Sequence, residues 1–472
     1  MKSKKVQKLI QSKAVVQTKK ELMGEEKTQT KISQPVSSSM LLKFALPTIL
    51  SMILTSTFGI VDGLFVSNLI GPLALSVVGL IFPFLTFAMS VGFMLGVGGN
   101  ALIAKQIGEG NVKWARENFN LIIVVSLAVS IILSSVGIIF TDQLLLFLGA
   151  DYSMLEMARV YLIPIGFFMP LIILSVIFQQ FLMTEGKAHI STFSFLAGGI
   201  VSALLNVLLI YIMQWGLMGA ALATGIGYTI PALIGAFYFT FKRTGNLYFG
   251  KTSWRGSVIV RAAINGASEM VTMLAVSITS ILMHNIAMRL AGPEAIAAIS
   301  IMFAAMNIMA SLFIGYASGI IPIISYNYGA NNDDNLKKLY SNSLKILSVL
   351  SLLSTVVMWI VLDPFIRFYI DPVYDINIYQ MSSLGIRILS SSFILMAINT
   401  FASMFFTGLN NGKISSLLSF FRSLVFVVTT LLILPNIFGI TGLWLAMPVA
   451  EILGIGLTIY FFNKLKSSYR YA

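Results

Sequence analysis

The chain contains no cysteine and only two histidines, His189 and His284. Disulfides, zinc–thiolate sites and a cysteine nucleophile are therefore excluded, and so is a histidine-rich metal centre. Charge is scarce too, with 10% of the 472 residues Asp, Glu, Lys or Arg. The one Gly-x-x-x-x-Gly-Lys-Ser/Thr string, Gly245–Thr252, stands in a loop between two long apolar runs rather than between a strand and a helix, so it does not read as a phosphate cradle, and no Gly-x-Ser-x-Gly elbow presents a nucleophilic serine. The loops are short, so there is no room for the soluble output domain of a sensor.

What remains is apolar. Hydrophobic residues make up 57% of the chain and mean hydropathy is +0.89, far beyond what a soluble core needs. Repeated apolar runs of about 20 residues or more mark membrane helices, and they are too long for the alternating strands of an outer-membrane barrel. The fold class expected is an all-α membrane protein of twelve transmembrane helices. The spans fall near residues 41–69, 74–104, 118–140, 159–183, 189–212, 217–241, 258–290, 295–324, 339–369, 380–407, 415–434 and 440–462.

The formal net charge of +13 marks topology rather than nucleic-acid binding. Residues 1–39 hold nine Lys and three Glu. With the N-terminus inside, the inner loops carry Lys105, Lys113, Arg116, Lys187, Lys242, Arg243, Lys251, Arg255, Lys337, Lys338 and Lys413. The outer side carries only Arg159, Arg289 and Arg367. Both termini are expected in the cytoplasm, with the chain multi-pass in the membrane. Residues 1–40 lack an apolar signal region and read as a disordered basic tail.

The chain is also internally duplicated. Residues 71–111 and 292–332 align without a gap at an offset of 221, with nine identities that include Gly71/Gly292, Pro72/Pro293, Gly98/Gly319, Gly108/Gly329 and Asn111/Asn332. Gly216-x-x-Gly219 opens the sixth span as Gly439-x-x-Gly442 opens the twelfth. Each half holds an even number of spans, so both enter the membrane in the same sense. They are then related by a pseudo-two-fold axis along the membrane normal. The expected division is an N-lobe over 41–241, a cytoplasmic linker over 242–257, a C-lobe over 258–462 and a C-terminal tail over 463–472. A duplicated polytopic chain of this kind is built like a carrier that rocks two bundles about a central site.

Carboxylates inside the spans are the sharpest candidates for chemistry, because a charge in hydrocarbon is costly and is kept for a cavity, a partner or an ion. They are Asp62 in span one, Glu269 in span seven and Glu451 in span twelve. At the offset of 221, Asp62 pairs with Met283 and Glu269 with Thr48. The scaffold was duplicated and the acids were not. Arg387 and Arg422 are basic counterparts read as structural. Pro47 lies fifteen residues before Asp62 and can bend span one as a hinge. The series Gly92, Gly96, Gly98 and Gly99 permits close helix approach.

The strings Asp62-Gly63-Leu64-Phe65-Val66, Gln106-Ile107-Gly108-Glu109-Gly110-Asn111, Asn265-Gly266-Ala267-Ser268-Glu269-Met270 and the stretch Pro322–Ala330 resemble the multidrug and toxic compound extrusion (MATE) family, in its MepA-like bacterial branch. The resemblance covers residues 41–462. It implies two six-helix lobes in a V and export of small organic, often cationic, compounds in exchange for protons, with sodium as the alternative ion. It also implies that the chain is not an enzyme, needs no cofactor or metal, takes no nucleic acid, and works as a monomer in the bilayer. Asp62 matches the family's coupling acid and Pro47 its span-one proline. Where many members have an Asn and an Asp on span five and a Thr on span six, this chain has Ser202, Asn206 and Thr224. Asp62 is then the lone carboxylate of that site, which favours a proton over tightly bound sodium. Glu269 matches a second acid found in part of the family, as a coupling group or a counter-charge for the substrate. A flippase for lipid-linked sugars shares the architecture and is the alternative. Its anionic ligands call for more intramembrane cations than this chain has.

Overall fold

The computed structural model describes residues 34–152, 154–370 and 375–472, and all regular elements among them are helices. Most of the expected N-terminal tail lies outside the described residues. Ten helices are long and apolar enough to cross a bilayer, and a bent pair, Ile376–Ser390 with Phe393–Gly408, makes an eleventh span. The last of the ten, Gly412–Tyr469, has 58 residues. At 1.5 Å per residue it would run about 87 Å, against a hydrocarbon core of about 30 Å. It breaks at Gly439 (φ 57°, ψ −136°), which gives the twelve spans expected. Spans one to nine are Ser38–Leu69, Leu73–Gly108, Val112–Ile139, Leu155–Thr184, Ala188–Ile212, Gly216–Phe241, Gly256–Gly292, Glu294–Gly329 and Asp333–Ile360. The bent pair is span ten, and spans eleven and twelve lie on either side of Gly439.

Several duplicated residues now have a physical reason. Gly71 and Gly292 both take positive φ, 125° and 70°, which glycine adopts without a Cβ clash. Each precedes the proline that opens the next span. A further pair went unseen in the sequence. Ile360 ends span nine, and residues Leu362–Tyr369 form a separate short helix, where one continuous span over 339–369 had been expected. Asp363, bonded to Arg367 at 2.8 Å and to the Tyr379 hydroxyl, keeps this helix in a polar setting. Its counterpart is Thr141–Phe147, where Asp142 pairs with Arg159. At the same offset of 221, Leu145 and Ile366 are both fully buried, while Phe147 and Phe368 are 87% and 74% exposed. At the C-terminus the helix runs on to Tyr469, and Tyr471 is buried beside Tyr340 and Phe405.

Two large apolar cores result, one for each half, and a small cluster of Val97, Ala101, Ala317, Ile321 and Met404 joins residues of both. The first span of each half crosses to the other. Leu41, Phe44, Ala45 and Ile49 of span one belong to the second half's core. Ala262 of span seven, which matches Leu41 at the offset of 221, belongs to the first half's core.

The seam between the halves is closed by backbone on the face that carries the lysine-rich loops (the basic face). A Cβ on Gly98 would lie 1.9 Å from the Ala262 carbonyl oxygen, and one on Gly266 would lie 1.9 Å from that of Met94. The duplicated pair meets reciprocally: Gly108 faces the Tyr326 carbonyl at 2.1 Å, and Gly329 faces that of Lys105 at 2.2 Å. A Cβ on Gly315 would lie 2.6 Å from the Ile49 Cα of span one, and one on Gly319 would lie 3.2 Å from the Ala45 Cα. Toward the opposite face, Gly59 and Gly79 of spans one and two have nothing within 4 Å of such a Cβ. The two halves are therefore joined tightly at the basic face and diverge toward the other.

Candidate ion-coupling site

Asp62 sits on the part of span one that lies beyond Pro47, partly buried and turned toward spans five and six. Asn206 donates its amide to Asp62 Oδ1 at 2.7 Å, Ser202 donates its hydroxyl to the same oxygen at 3.4 Å, and Thr224 donates to Oδ2 at 3.2 Å. All four residues singled out in this lobe are brought together. The spacing explains the arrangement, since Ser202 and Asn206 stand one turn apart on a helix face. A π turn, Val207–Ile212, follows Asn206 directly, and such turns shift the register of the helix beyond them. The close approach of spans five and six rests on Gly198 and Gly227, where a Cβ on Gly198 would lie 2.4 Å from the Gly227 carbonyl oxygen.

Span one is also tied to span five at Pro47. The Thr192 hydroxyl donates to the Pro47 carbonyl at 2.6 Å, and the Ser51 hydroxyl donates to Thr192 at 3.0 Å. As far as Ile49 the span is packed into the second half, and Ser56 still shares a hydrogen bond with Ser311 of span eight; beyond them, Asp62 holds it to the first.

Two residues that sequence reasoning missed complete the site. The Tyr161 hydroxyl, on span four, lies beside Thr224 and within electrostatic reach of Asp62. Tyr228, one turn after Thr224, also lies within reach of that charge. Nothing in a single sequence distinguishes these two from the chain's other tyrosines, because their role depends on contacts between spans.

The second half's acids lie elsewhere. Glu269 is buried beside Ser268, which continues through Thr407, Ser415, Ser403 and Ser419 as a file of hydroxyl contacts between spans ten and eleven. Glu451 accepts from the Asn399 amide at 2.7 Å and lies 3.9 Å from Arg422, which donates to Thr400 at 2.7 Å. Arg387 is exposed. Among the described residues no group of three or more His, Cys, Asp or Glu side chains converges.

A fourth buried carboxylate was not anticipated. Glu185, just past the end of span four, accepts the Leu247 amide at 2.9 Å, and Gly245 lies directly against its Oε2. Around it, Arg116 donates to the Asn246 carbonyl at 3.0 Å, and Asn120 holds the Tyr248 carbonyl and the Gly250 amide. Glu117 pairs with Arg255 at 2.8 Å. The connection between the halves is thus laid against the first. Burial pushes the Glu185 carboxyl up to about 7, against the opposing pull of the Leu247 and Asn246 amides and of Lys187 and Arg116. A carboxyl raised on folding contributes stability below its unfolded value, and this is lost as pH rises through the folded one. The protection factor of the Leu247 amide in hydrogen exchange should therefore fall about tenfold or more between pH 5 and pH 8. Glu185→Gln should flatten that dependence, and an equally steep fall in the variant would exclude the Glu185 carboxyl as its source.

A duplicated twelve-helix bundle, sealed by backbone at one face and holding carboxylates between its spans, is built as a membrane carrier and not as an enzyme. Comparison with known proteins gives the family. The MatE family profile matches residues 47–212 and 269–432, one stretch in each half, and the chain belongs to the MatE family of transporters. It is 23% identical to the multidrug export protein MepA of Staphylococcus haemolyticus (strain JCSC1435) over 433 residues, 90% of this chain and 93% of that protein. Among solved structures it resembles a MATE transporter in complex with MaL6, with a TM-score of 0.88 at 20% identity over 94% of this chain and 100% of that one. It also resembles a multidrug resistance MATE family transporter of the MOP superfamily in an outward-facing conformation, with a TM-score of 0.86 at 21% identity over 92% and 96% of the two chains.

Proposed function

We propose that the protein exports small organic, often cationic, compounds across a bacterial plasma membrane in exchange for protons, as a monomer with its basic face in the cytoplasm. The observation that carries this reading is the setting of Asp62. It is a single carboxylate ringed by three donors on two other spans, fifteen residues beyond the proline of span one. An ionised carboxylate accepts all three bonds. A protonated one gives up part of its acceptor capacity and gains a donor, which loosens the hold of spans five and six on span one. The lower part of span one is fixed in the C-lobe core, so a change at Asp62 is transmitted across Pro47 to the seam between the lobes. Glu269 serves as a second coupling acid or as the counter-charge for a cationic cargo.

A proton is favoured over sodium by the donor set. One carboxylate with an amide and two hydroxyls, already directed at its oxygens, is a poor cage for a hard cation that needs several oxygen ligands. The family match favours export of organic compounds over flipping of lipid-linked sugars. The reading is tested in proteoliposomes with a proton gradient or a sodium gradient imposed separately. Cationic dyes should be driven by the first alone. Transport driven by sodium at uniform pH would overturn the proton assignment.

A further inference from the structure

On the cytoplasmic face assigned above, the ends of spans five and six enclose an open-sided groove of about 470 Å³. This lies within the range of roughly 300–1,000 Å³ typical of small-molecule pockets. Its walls are Ile190, Ile234, Phe237 and Phe241, and its rim is Lys242 and Arg243. The two phenylalanines are 66% and 69% exposed, with ring centroids 4.6 Å apart. Lys242 and Arg243 are exposed as well, and among the described residues neither enters an ion pair.

We propose that this groove binds an anionic phospholipid of the cytoplasmic leaflet, with an acyl chain along the aromatic wall and the headgroup phosphate on Lys242 and Arg243. Charge complementarity selects the occupant. The groove lies where the last turn of a span meets the loop, so its apolar part is at acyl depth and its two cations are at headgroup depth. A water-soluble anion would leave the aromatic wall unused. A zwitterionic lipid would leave two cations facing its own ammonium group. The site also has a mechanical setting. Spans five and six carry all three hydrogen-bond donors to Asp62, so a lipid wedged between their ends bears on the spacing of that site. Next to the rim, the connection that includes Gly245 and Leu247 is fastened by Glu185.

The test is native mass spectrometry of the full-length protein in detergent, with added phosphatidylglycerol or phosphatidylcholine. It reads binding without transport, so its failure is separate from failure of the exporter assignment. The wild-type chain should retain phosphatidylglycerol in preference to phosphatidylcholine. The double variant Lys242→Gln/Arg243→Gln should lose that retention about tenfold or more. Lys337→Gln/Lys338→Gln, a basic pair outside the groove, should keep it. Phe237→Asn/Phe241→Asn should also lose it if the acyl chain lies on the aromatic wall. Equal loss in both basic double variants would reduce the effect to general surface charge and overturn the proposal. So would unchanged retention in the Lys242/Arg243 variant, unchanged retention in the aromatic variant, or equal binding of phosphatidylcholine.

Discussion

Asp62→Asn is expected to abolish gradient-driven export while leaving the fold intact. The variant keeps the shape and most of the hydrogen bonds. The substituted amide can accept from Asn206 through its carbonyl and donate to the Thr224 oxygen through its NH₂ group, so spans five and six keep their partner. What the variant loses is the proton, and with it the link to the driving force. For a neutral cargo exchanged against one proton, the membrane potential supplies about 2.3 kcal/mol per 100 mV, or about fiftyfold in the accumulation ratio. For a singly charged cation the exchange is electroneutral, and only the pH difference drives it, tenfold per unit. In both cases the variant should only equilibrate its cargo. The measurement is dye export from proteoliposomes with an imposed pH gradient, with the thermal melting curve recorded in parallel. Uphill transport by the variant at the wild-type level would remove Asp62 from the mechanism. Loss of transport with a collapsed melting transition would mean that the carboxylate acts only in folding.

The features legible in the sequence were those that a span carries by itself. Twelve apolar runs, their even division and the duplication follow from hydropathy and an alignment of the chain with itself. Asp62 stands out because a carboxylate in hydrocarbon demands a reason. Its partners Ser202, Asn206 and Thr224 came from resemblance, and their positions show why a single chain could not give them: they meet Asp62 across 140 to 162 residues. Tyr161 and Tyr228 were missed for the same reason. The short helix Leu362–Tyr369 was absorbed into its span because its buried side is apolar enough to prolong the run. Only the polar cluster of Asp363, Arg367 and Tyr379 separates it. The duplication, by contrast, held more than its nine identities suggest. Gly108 and Gly329 are repeated because each lies against the carbonyl three residues before the other, that of Tyr326 and that of Lys105, across the pseudo-two-fold axis. Within the series Gly92, Gly96, Gly98 and Gly99 of span two, Gly92, Gly96 and Gly99 pack against the first half's own residues. Gly98 alone faces the second half, a distinction that periodicity could not supply.

That distinction makes the seam testable, and Gly108→Val should hold the cytoplasmic face open. Real Cβ atoms do not approach carbonyl oxygens at 2.1 Å, so one lobe must withdraw from the other. The nearest atoms belong to Tyr326 and Ala330 of the opposite lobe, so the strain falls on the seam and both lobes should still fold. Overpacking of this kind costs about 1–3 kcal/mol, which shifts a two-state equilibrium about 5- to 150-fold. The absence of cysteine makes the readout clean, since an introduced thiol has no background. Ser318 is 1% exposed and lies one residue from Gly319 on the sealed part of span eight. In a Ser318→Cys chain the thiol should be shielded from a membrane-impermeant methanethiosulfonate reagent. Adding Gly108→Val should raise its modification rate at least about fivefold. Gly79→Ala is the control, because it lies on the same span with open space where its Cβ would be placed, and it should leave the rate unchanged. Export should fall with Gly108→Val, since a carrier held open to one side cannot complete its cycle. If Gly108→Val and Gly79→Ala left the thiol equally shielded while the protein stayed folded, the glycine contacts would not be what closes the cytoplasmic face.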